Sequence, residues 1–401
     1  MENKPIKKVI IIGGGIAGLR ALYNLSEYIY RFEVTLIDKN SYTLEKPALI
    51  DVVFDNKKSD DVSFLLPPQA RESNAAFIKA EVKKIEPQEN YILLDSNEKV
   101  KYDYLIMAAG AEIDIDAIKG FKEFGYSICN ISQAERLKER INSLNKEKIV
   151  IGSAKSNLGK NSKLNVAYEG IVAEIALNLD EYIKEKNLNC QIDIFTPNST
   201  FLNFAGENVT SKIETLLKER GINIHYNRDI KEINKSSISF SDNSTLESNL
   251  SIVVPPYNIP PFLENLTTNS WIETDNNMAH LEYNNIFIVG DINALTVPKI
   301  GYLALHEADV ATTKLIELEN LENENKIRYN PDIFIILKAK NEGILIYSNS
   351  LYGGDKDIIW VSPIAKWLKI GFSREYHYTH GNLAPVKLIK EIEKVIEYLE
   401  K

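Results

Sequence analysis

Near its start the chain carries an unbroken apolar run, Val9-Ile10-Ile11-Ile12, which breaks into Gly13-Gly14-Gly15 and passes into helical spacing from Ile16 to about Tyr30. A second apolar run, EVTLID, follows at 33–38. Strands apolar on both faces, alternating with amphipathic helices, are the pattern of a buried parallel sheet. The alternation restarts at KIVIG (148–152). It continues through a helix over 169–186, a strand at CQIDIFTP (190–197), a helix near Val209–Arg220 and a strand at INIHY (222–226). The strand NNIFIVGDINAL (284–295), ending in Gly-Asp, signals a return to the first unit. An α/β protein with one such unit inserted in another is the expectation, over 1–147 with 275–327 and over 148–274. No repeat of 20–50 residues is present.

After about Ile327 the texture changes to short strand-like pieces, DIFIILKA, ILIYSN and DIIWVS, and the chain closes on a charged helical pattern over 387–401. Residues 328–401 read as a C-terminal capping unit. Within it, residues 358–380 interleave Trp360, Trp367, Leu368, Ile370 and Phe372 with Lys366, Lys369 and Arg374. That composition suits a helix or hairpin lying in a lipid interface, and equally a dimer contact. Pro363 and Gly371 are expected to interrupt any long helix there. The polar stretch SAKSNLGKNSKLN (153–165) predicts a mobile lid.

Composition narrows the classes. At 401 residues and 44% hydrophobic content the chain can bury a large core. A net charge of −9 with both signs interspersed excludes nucleic acid as the expected partner. Cys129 and Cys190 are the only cysteines and belong to no CxxC or Cys/His cluster, so no disulfide framework or metal site is expected and a cytoplasmic setting is. Each cysteine reads as a buried structural residue. No apolar stretch reaches 18 residues, so no membrane-spanning helix is expected, while peripheral attachment to the cytoplasmic face stays open. His377 and His380 read as solvated loop residues.

Candidate chemistry begins at the first turn. Gly13-Gly14-Gly15-Ile16-Ala17-Gly18 satisfies GxGxxG between a strand and a helix, with Asp38 twenty residues past Gly18. Gly13 would allow the tight turn, Gly15 the close approach of a pyrophosphate, and Gly18 close packing of helix on strand, while the helix start offers N–H groups to the phosphates. Asp38 would accept from ribose hydroxyls. Both units are therefore expected to be Rossmann-like, the first binding a dinucleotide. Two further pieces favour FAD over NAD: KYDYLIMAAGAE (101–112), a strand ending in Ala109-Gly110, and the Gly290-Asp291 that follows the returning strand, where a carboxylate would meet a ribityl chain.

In this order the three pieces resemble the FAD-dependent disulfide-reductase superfamily. The resemblance implies that TVPKIGYLALHEADVA (296–311) carries a helix whose start faces the flavin, with Lys299, Ile300 and Gly301 favouring negative charge on the reduced ring. It also implies cofactor contacts at Lys39 and Lys46. EKPALIDVVF (45–54), FGYSICN (124–130), AYEGIVAE (167–174), IVVPPYN (252–258), TVPKIGYLAL (296–305) and SLYGG (350–354) are similar to one branch, the sulfide:quinone oxidoreductases, which also resemble type II NADH dehydrogenases. That branch implies a peripheral membrane protein passing electrons from a small-molecule donor to quinone.

The branch oxidises sulfide through two cysteines beside the flavin, because a thiolate can attack and carry sulfur there. Its C-E-G-P motif reads Tyr168-Glu169-Gly170-Ile171 here, and its second cysteine position falls on Ile335; Cys129 matches an accessory third. Two readings of this pair stand: Tyr168 lies near the flavin, stacking as an apolar plug or binding an aromatic-tolerant substrate, while Glu169 relays protons, or Tyr168 is filler and Glu169 a first-turn carboxylate. For NADH the second and third glycines of the second turn fall on Ala154 and Asn157, which would crowd a pyrophosphate. Three functions follow from this: an altered sulfide:quinone type enzyme with another donor, an NAD(P)H:quinone oxidoreductase with a divergent nicotinamide site, or a flavin-bound partner or sensor without turnover.

Overall fold

The computed structural model describes residues 5–158, 162–267, 271–322 and 326–383. The helix expected at 387–401 lies outside them. In chain order come β1 (Lys7–Ile12), α1 (Ile16–Ser26), β2 (Phe32–Asp38), α2 (Leu49–Phe54), β3 (Ala76–Lys79) and β4 (Tyr104–Met107). Next are β5 (Gly125–Tyr126), α3 (Ile131–Asn142), β6 (Lys148–Ser153), α4 (Gly170–Glu185), β7 (Gln191–Phe195), α5 (Glu207–Glu219), β8 (Asn223–His225) and β9 (Leu250–Val254). The chain returns through β10 (Ile286–Ile288) and α6 (Gly301–Leu318). It then forms β11 (Ile333–Lys338), β12 (Gly343–Ser348), β13 (Asp357–Ser362) and α7 (Pro363–Tyr378).

The first sheet runs β10-β4-β1-β2-β3 and the second β5-β9-β6-β7-β8. Every pairing in both is parallel. The apolar runs explain this: Val9 to Ile12 are all buried, Val9 and Ile11 among residues of α1 and α6 and Ile10 and Ile12 among Val82, Ile85, Ile92 and Leu94 on the other face. The third sheet, β11-β12-β13, is antiparallel and packs against α4, α6 and α7.

Several expectations need correction. Helix α1 stops at Ser26 rather than near Tyr30, because the Tyr28 carbonyl accepts from both Arg31 N and Phe32 N at 2.9 Å and turns the chain into β2. Strand β5 pairs with β9, so the second sheet recruits residues that precede 148; two residues are too few to leave an apolar run in the sequence. We propose that the inserted unit begins before Gly125. Neither Pro363 nor Gly371 interrupts α7. Pro363 occupies the first turn, where no N–H is needed, and Ser362 Oγ accepts from Ile364 N at 3.1 Å. Gly371 sits exposed within the same helix. His377 therefore lies on a helix, its Nε2 2.8 Å from the buried Glu45 carboxylate, rather than in a solvated loop.

A buried charged cluster joins the three parts. Lys338 of β11 is 4% exposed and meets Asp51 of α2 and Asp55, while its backbone N donates to Glu174 Oε1 of α4 at 2.8 Å. The Lys369 ammonium of α7 donates to the same oxygen. Burial pushes the Asp51 carboxyl up, but Lys338 and Lys57 outweigh it, and the group ends below the ordinary carboxylate range.

Candidate functional site

The turn after β1 is shaped by what its glycines touch. Gly13 has φ +100°, and a Cβ there would lie 2.3 Å from the Ala108 carbonyl oxygen; a Cβ on Gly18 would lie 1.8 Å from the Gly13 carbonyl oxygen. Those two glycines let β1, α1 and β4 close on one another. Gly15 differs, because a Cβ there would meet nothing within 4 Å. Gly110, at φ +67° just past β4, faces the same openness. The turn therefore leaves backbone bordering free space beside a helix start that no side chain caps, with Ile16 and buried Ala17 in its first turn. An anionic diphosphate fits such a cradle. Ala109, half-buried, precedes Gly110. Asp38 braces the turn: its Oδ2 accepts from Gly14 N and its Oδ1 from Asn40 N, each at 2.7 Å. Sequence spacing gave it a ribose partner; the structure adds this local role.

The returning segment supplies a second set. Gly290 turns at φ +76° after β10, half-buried Asp291 follows, and α6 begins at Gly301 with Ile300 at its uncapped start. Lys299 is buried at 8% exposure. Its Nζ donates to the Asn293 carbonyl at 2.7 Å and sits 4.9 Å from the Trp271 ring centroid. Lys299 N donates to the Ala167 carbonyl at 2.9 Å, which ties this segment to the one that carries Tyr168. Lys39 and Lys46 are exposed; Lys39 Nζ is 4.0 Å from Glu112, and Lys46 acts on the charge of Cys129.

Tyr168 is half-buried, its ring 6.3 Å from that of Phe204 and folded over Gly170, where a Cβ would lie 2.2 Å from the Tyr168 hydroxyl. Burial pushes its phenol well above the ordinary range. Glu169 does not point along the helix axis as a solvated first-turn carboxylate would. It is fully buried, accepting from the Thr196 hydroxyl and from Leu202 N at 3.0 Å. Burial pushes its carboxyl up to about 7, against the opposite pull of Thr196, Leu202 and Asn198. Ile335 is 6% exposed within β11 and paired in register with Ile346. Cys129 and Cys190 are both half-buried rather than enclosed. Burial raises the Cys129 thiol, with Ser127 and Lys46 opposing, and the Cys190 thiol donates to the Asn145 carbonyl at 2.8 Å.

In the second unit Gly152 serves packing: a Cβ there would lie 2.3 Å from the Phe195 ring. The start of α4, where the first unit offers an open cradle, is occupied by Tyr168 and Glu169. A hollow of about 480 Å³ lies at the carboxyl end of the second sheet, lined by Ala154, Lys155, Ser156, Asn165, Asp229 and Pro256 among others. The described parts of the expected lid are tied down. Ser156 N donates to the Asn165 carbonyl at 2.8 Å, Tyr257 N to Ser156 Oγ at 3.2 Å, and Trp271 Nε1 to the Asn157 carbonyl. Among the described residues no group of His, Cys, Asp and Glu is arranged to hold a metal ion.

A family model described as pyridine nucleotide-disulphide oxidoreductase matches residues 7–313. The chain belongs to this family. It is an FAD-dependent oxidoreductase with the paired Rossmann-like fold of the group. Among curated relatives, the sulfide-quinone reductase of Aquifex aeolicus is 24% identical, over 94% of this chain and 93% of that protein. A type II NADH:quinone oxidoreductase of Staphylococcus haemolyticus is 32% identical over 34% of each chain. The sulfide:quinone oxidoreductase structure from A. aeolicus superposes with a TM-score of 0.86, at 23% identity over 96% of this chain and 95% of that one; at such identity the likeness speaks for the fold. An NADH-bound NDH2 structure from Plasmodium falciparum gives 0.69 at 14% identity, over 94% and 98%.

Sequence reading missed Glu307 and Asn293 of the returning segment, and Trp271 shortly before it. A signal for Glu307 was present, since a carboxylate inside the apolar stretch GYLALHEADVA must be partnered if the helix is buried.

Proposed function

We propose that this flavoprotein reduces quinone with electrons from a donor that meets the flavin directly, without a relay of protein thiols. The observation that carries the reading is the pair Tyr168 and Ile335. Where the resemblance would have two sulfurs, it has a phenol ring folded over Gly170 and an aliphatic side chain buried in β11. Neither can attack or carry a sulfur atom. A nicotinamide donor is disfavoured by the filled start of α4, where the Tyr168 ring folds over Gly170 at the end of a helix that would otherwise receive a pyrophosphate.

FAD, when bound, supplies reversible two-electron transfer between donor and quinone. The Gly13–Gly18 turn and Gly110 would hold its diphosphate, Asp38 its ribose and Asp291 its ribityl chain. Lys299 and the N–H groups opening α6 would favour negative charge at the ring edge. Glu169, buried and with its carboxyl pushed up to about 7, would take up and release a proton near neutral pH.

Among the described residues no helix is long and apolar enough to cross a membrane. Exposed Val361 near the end of β13, with Ile364 and Trp367 in the first turns of α7, at 40%, 57% and 61%, offers apolar surface that supports attachment to a lipid surface, where quinone is found.

The acceptor can be tested without knowing the donor. Anaerobic photoreduction of the FAD-loaded protein followed by addition of a short-chain ubiquinone should restore the oxidised flavin band within seconds; a band that stays bleached would remove quinone from the reading. For the donor, sulfide and NADH are expected to leave the wild-type band intact on the same timescale. Tyr168→Cys combined with Ile335→Cys is expected to be bleached by sulfide. Rapid bleaching of wild type by NADH would instead favour the NAD(P)H:quinone alternative, for which the partial likeness to type II enzymes speaks.

A further inference from the structure

Helix α6 is apolar along most of its first three turns, yet it buries Glu307 at 1% exposure. One oxygen, Oε2, accepts from two donors: Gly290 N at 2.6 Å and Asn293 Nδ2 at 2.7 Å. These donors bound the turn that presents Asp291. Asn293 passes the restraint on, because its Oδ1 accepts from Leu295 N at 3.0 Å and its carbonyl accepts from Lys299 Nζ at 2.7 Å. A single buried carboxylate thus grips both ends of a turn whose far side holds a buried ammonium. The sequence carries no motif for this grip, and an uncompensated carboxylate in such a place would be costly. Lys299 offsets that cost: burial pushes the Glu307 carboxyl up and the Lys299 ammonium down, and each charge partly restores the other.

We propose that Glu307 is a positioning residue for electron transfer: it fixes the segment from Gly290 to Lys299 and balances the Lys299 charge, and so sets how readily the bound flavin accepts electrons. The inference rests on the reading that the flavin ring edge meets Lys299 and the start of α6. Lys299 favours electron density on the ring, and Glu307 restrains that effect through its own charge while holding the ammonium in place.

The test is the midpoint potential of bound FAD, measured anaerobically by photoreduction against a reference dye from pH 6 to pH 9. Glu307→Gln keeps a carbonyl that can accept from Gly290 and Asn293 but removes the charge. The reduction equilibrium is expected to shift tenfold or more toward reduced flavin, about 30 mV upward for a two-electron couple. Lys299→Met should shift it by a similar factor in the opposite direction, and Glu307→Asp, which keeps the charge, should stay within threefold of wild type. A residue that only stabilises the fold would lower the melting temperature of E307Q and leave the potential alone. A potential for E307Q within threefold of wild type across the pH range would overturn the proposal. Should E307Q fail to retain flavin, K299M decides, since it leaves the hydrogen bonds of Glu307 intact: an unmoved potential there overturns the proposal equally. In a yellow protein with unmoved potentials the quinone reading survives and this inference falls, whereas failure of photoreduced wild type to be reoxidised by quinone strikes the proposed function and leaves the potentials to be measured.

Discussion

At the scale of single residues, the fingerprint glycines separate into two kinds that sequence cannot distinguish. Gly18 is filled by the Gly13 carbonyl oxygen, so Gly18→Ala must push α1 off β1, at about 1–3 kcal/mol or more, and should lower both the melting temperature of flavin-free protein and FAD uptake. Gly15 borders free space. Gly15→Ala is expected to leave the flavin-free protein within about 0.5 kcal/mol of wild type while weakening FAD binding at least tenfold. Thermal melts with and without FAD check both, and equal behaviour of the two variants would contradict the cradle. Glu169 gives a pH signature. Its folded carboxyl is raised from 4.5 to about 7, so the folded state binds the extra proton; stability from this group is full below pH 4.5 and lost as pH climbs through 7. The loss is at most about 3 kcal/mol at 1.36 kcal/mol per unit. Glu169→Gln should flatten the denaturation midpoint between pH 5 and 8 relative to wild type, and an unchanged slope would deny the group its raised affinity for the proton.

Elements that announce themselves through apolar period were legible in the sequence: β1, β2, β6, β7 and α4 fall where their patterns put them, and α1 begins where expected but ends a turn early. What escaped had no period to show. Strand β5 has two residues, and the grip of Glu307 on Gly290 and Asn293 depends on a turn whose distant contacts no local pattern encodes. Pro363 was misread because a proline that breaks a helix interior is welcome at its first turn, and Ser362 just before it was the missed cap. Helix α7 then presents Ile364 and Trp367 on one exposed strip. Replacing both with Glu should release the protein from anionic lipid vesicles in a flotation assay, with FAD content unchanged. Co-flotation equal to wild type would assign that strip elsewhere. Between elements, Lys338 is a strong constraint: Lys338→Met leaves buried Asp51 with Lys57 as its remaining cation and should cost up to about 3–5 kcal/mol in chemical denaturation.

For the whole molecule, the two α/β units share an architecture and diverge in use. The first keeps its helix start open and the second fills it with Tyr168 and Glu169. Residues of α2, α3, α4, α5 and the third sheet belong to one contiguous hydrophobic cluster, in which Leu49, Leu137, Ile175, Leu217, Ile335 and Leu345 are all buried. Heating should therefore melt the protein in a single calorimetric peak, and a fragment ending near residue 327 would come out of the cell insoluble instead of as a smaller working enzyme.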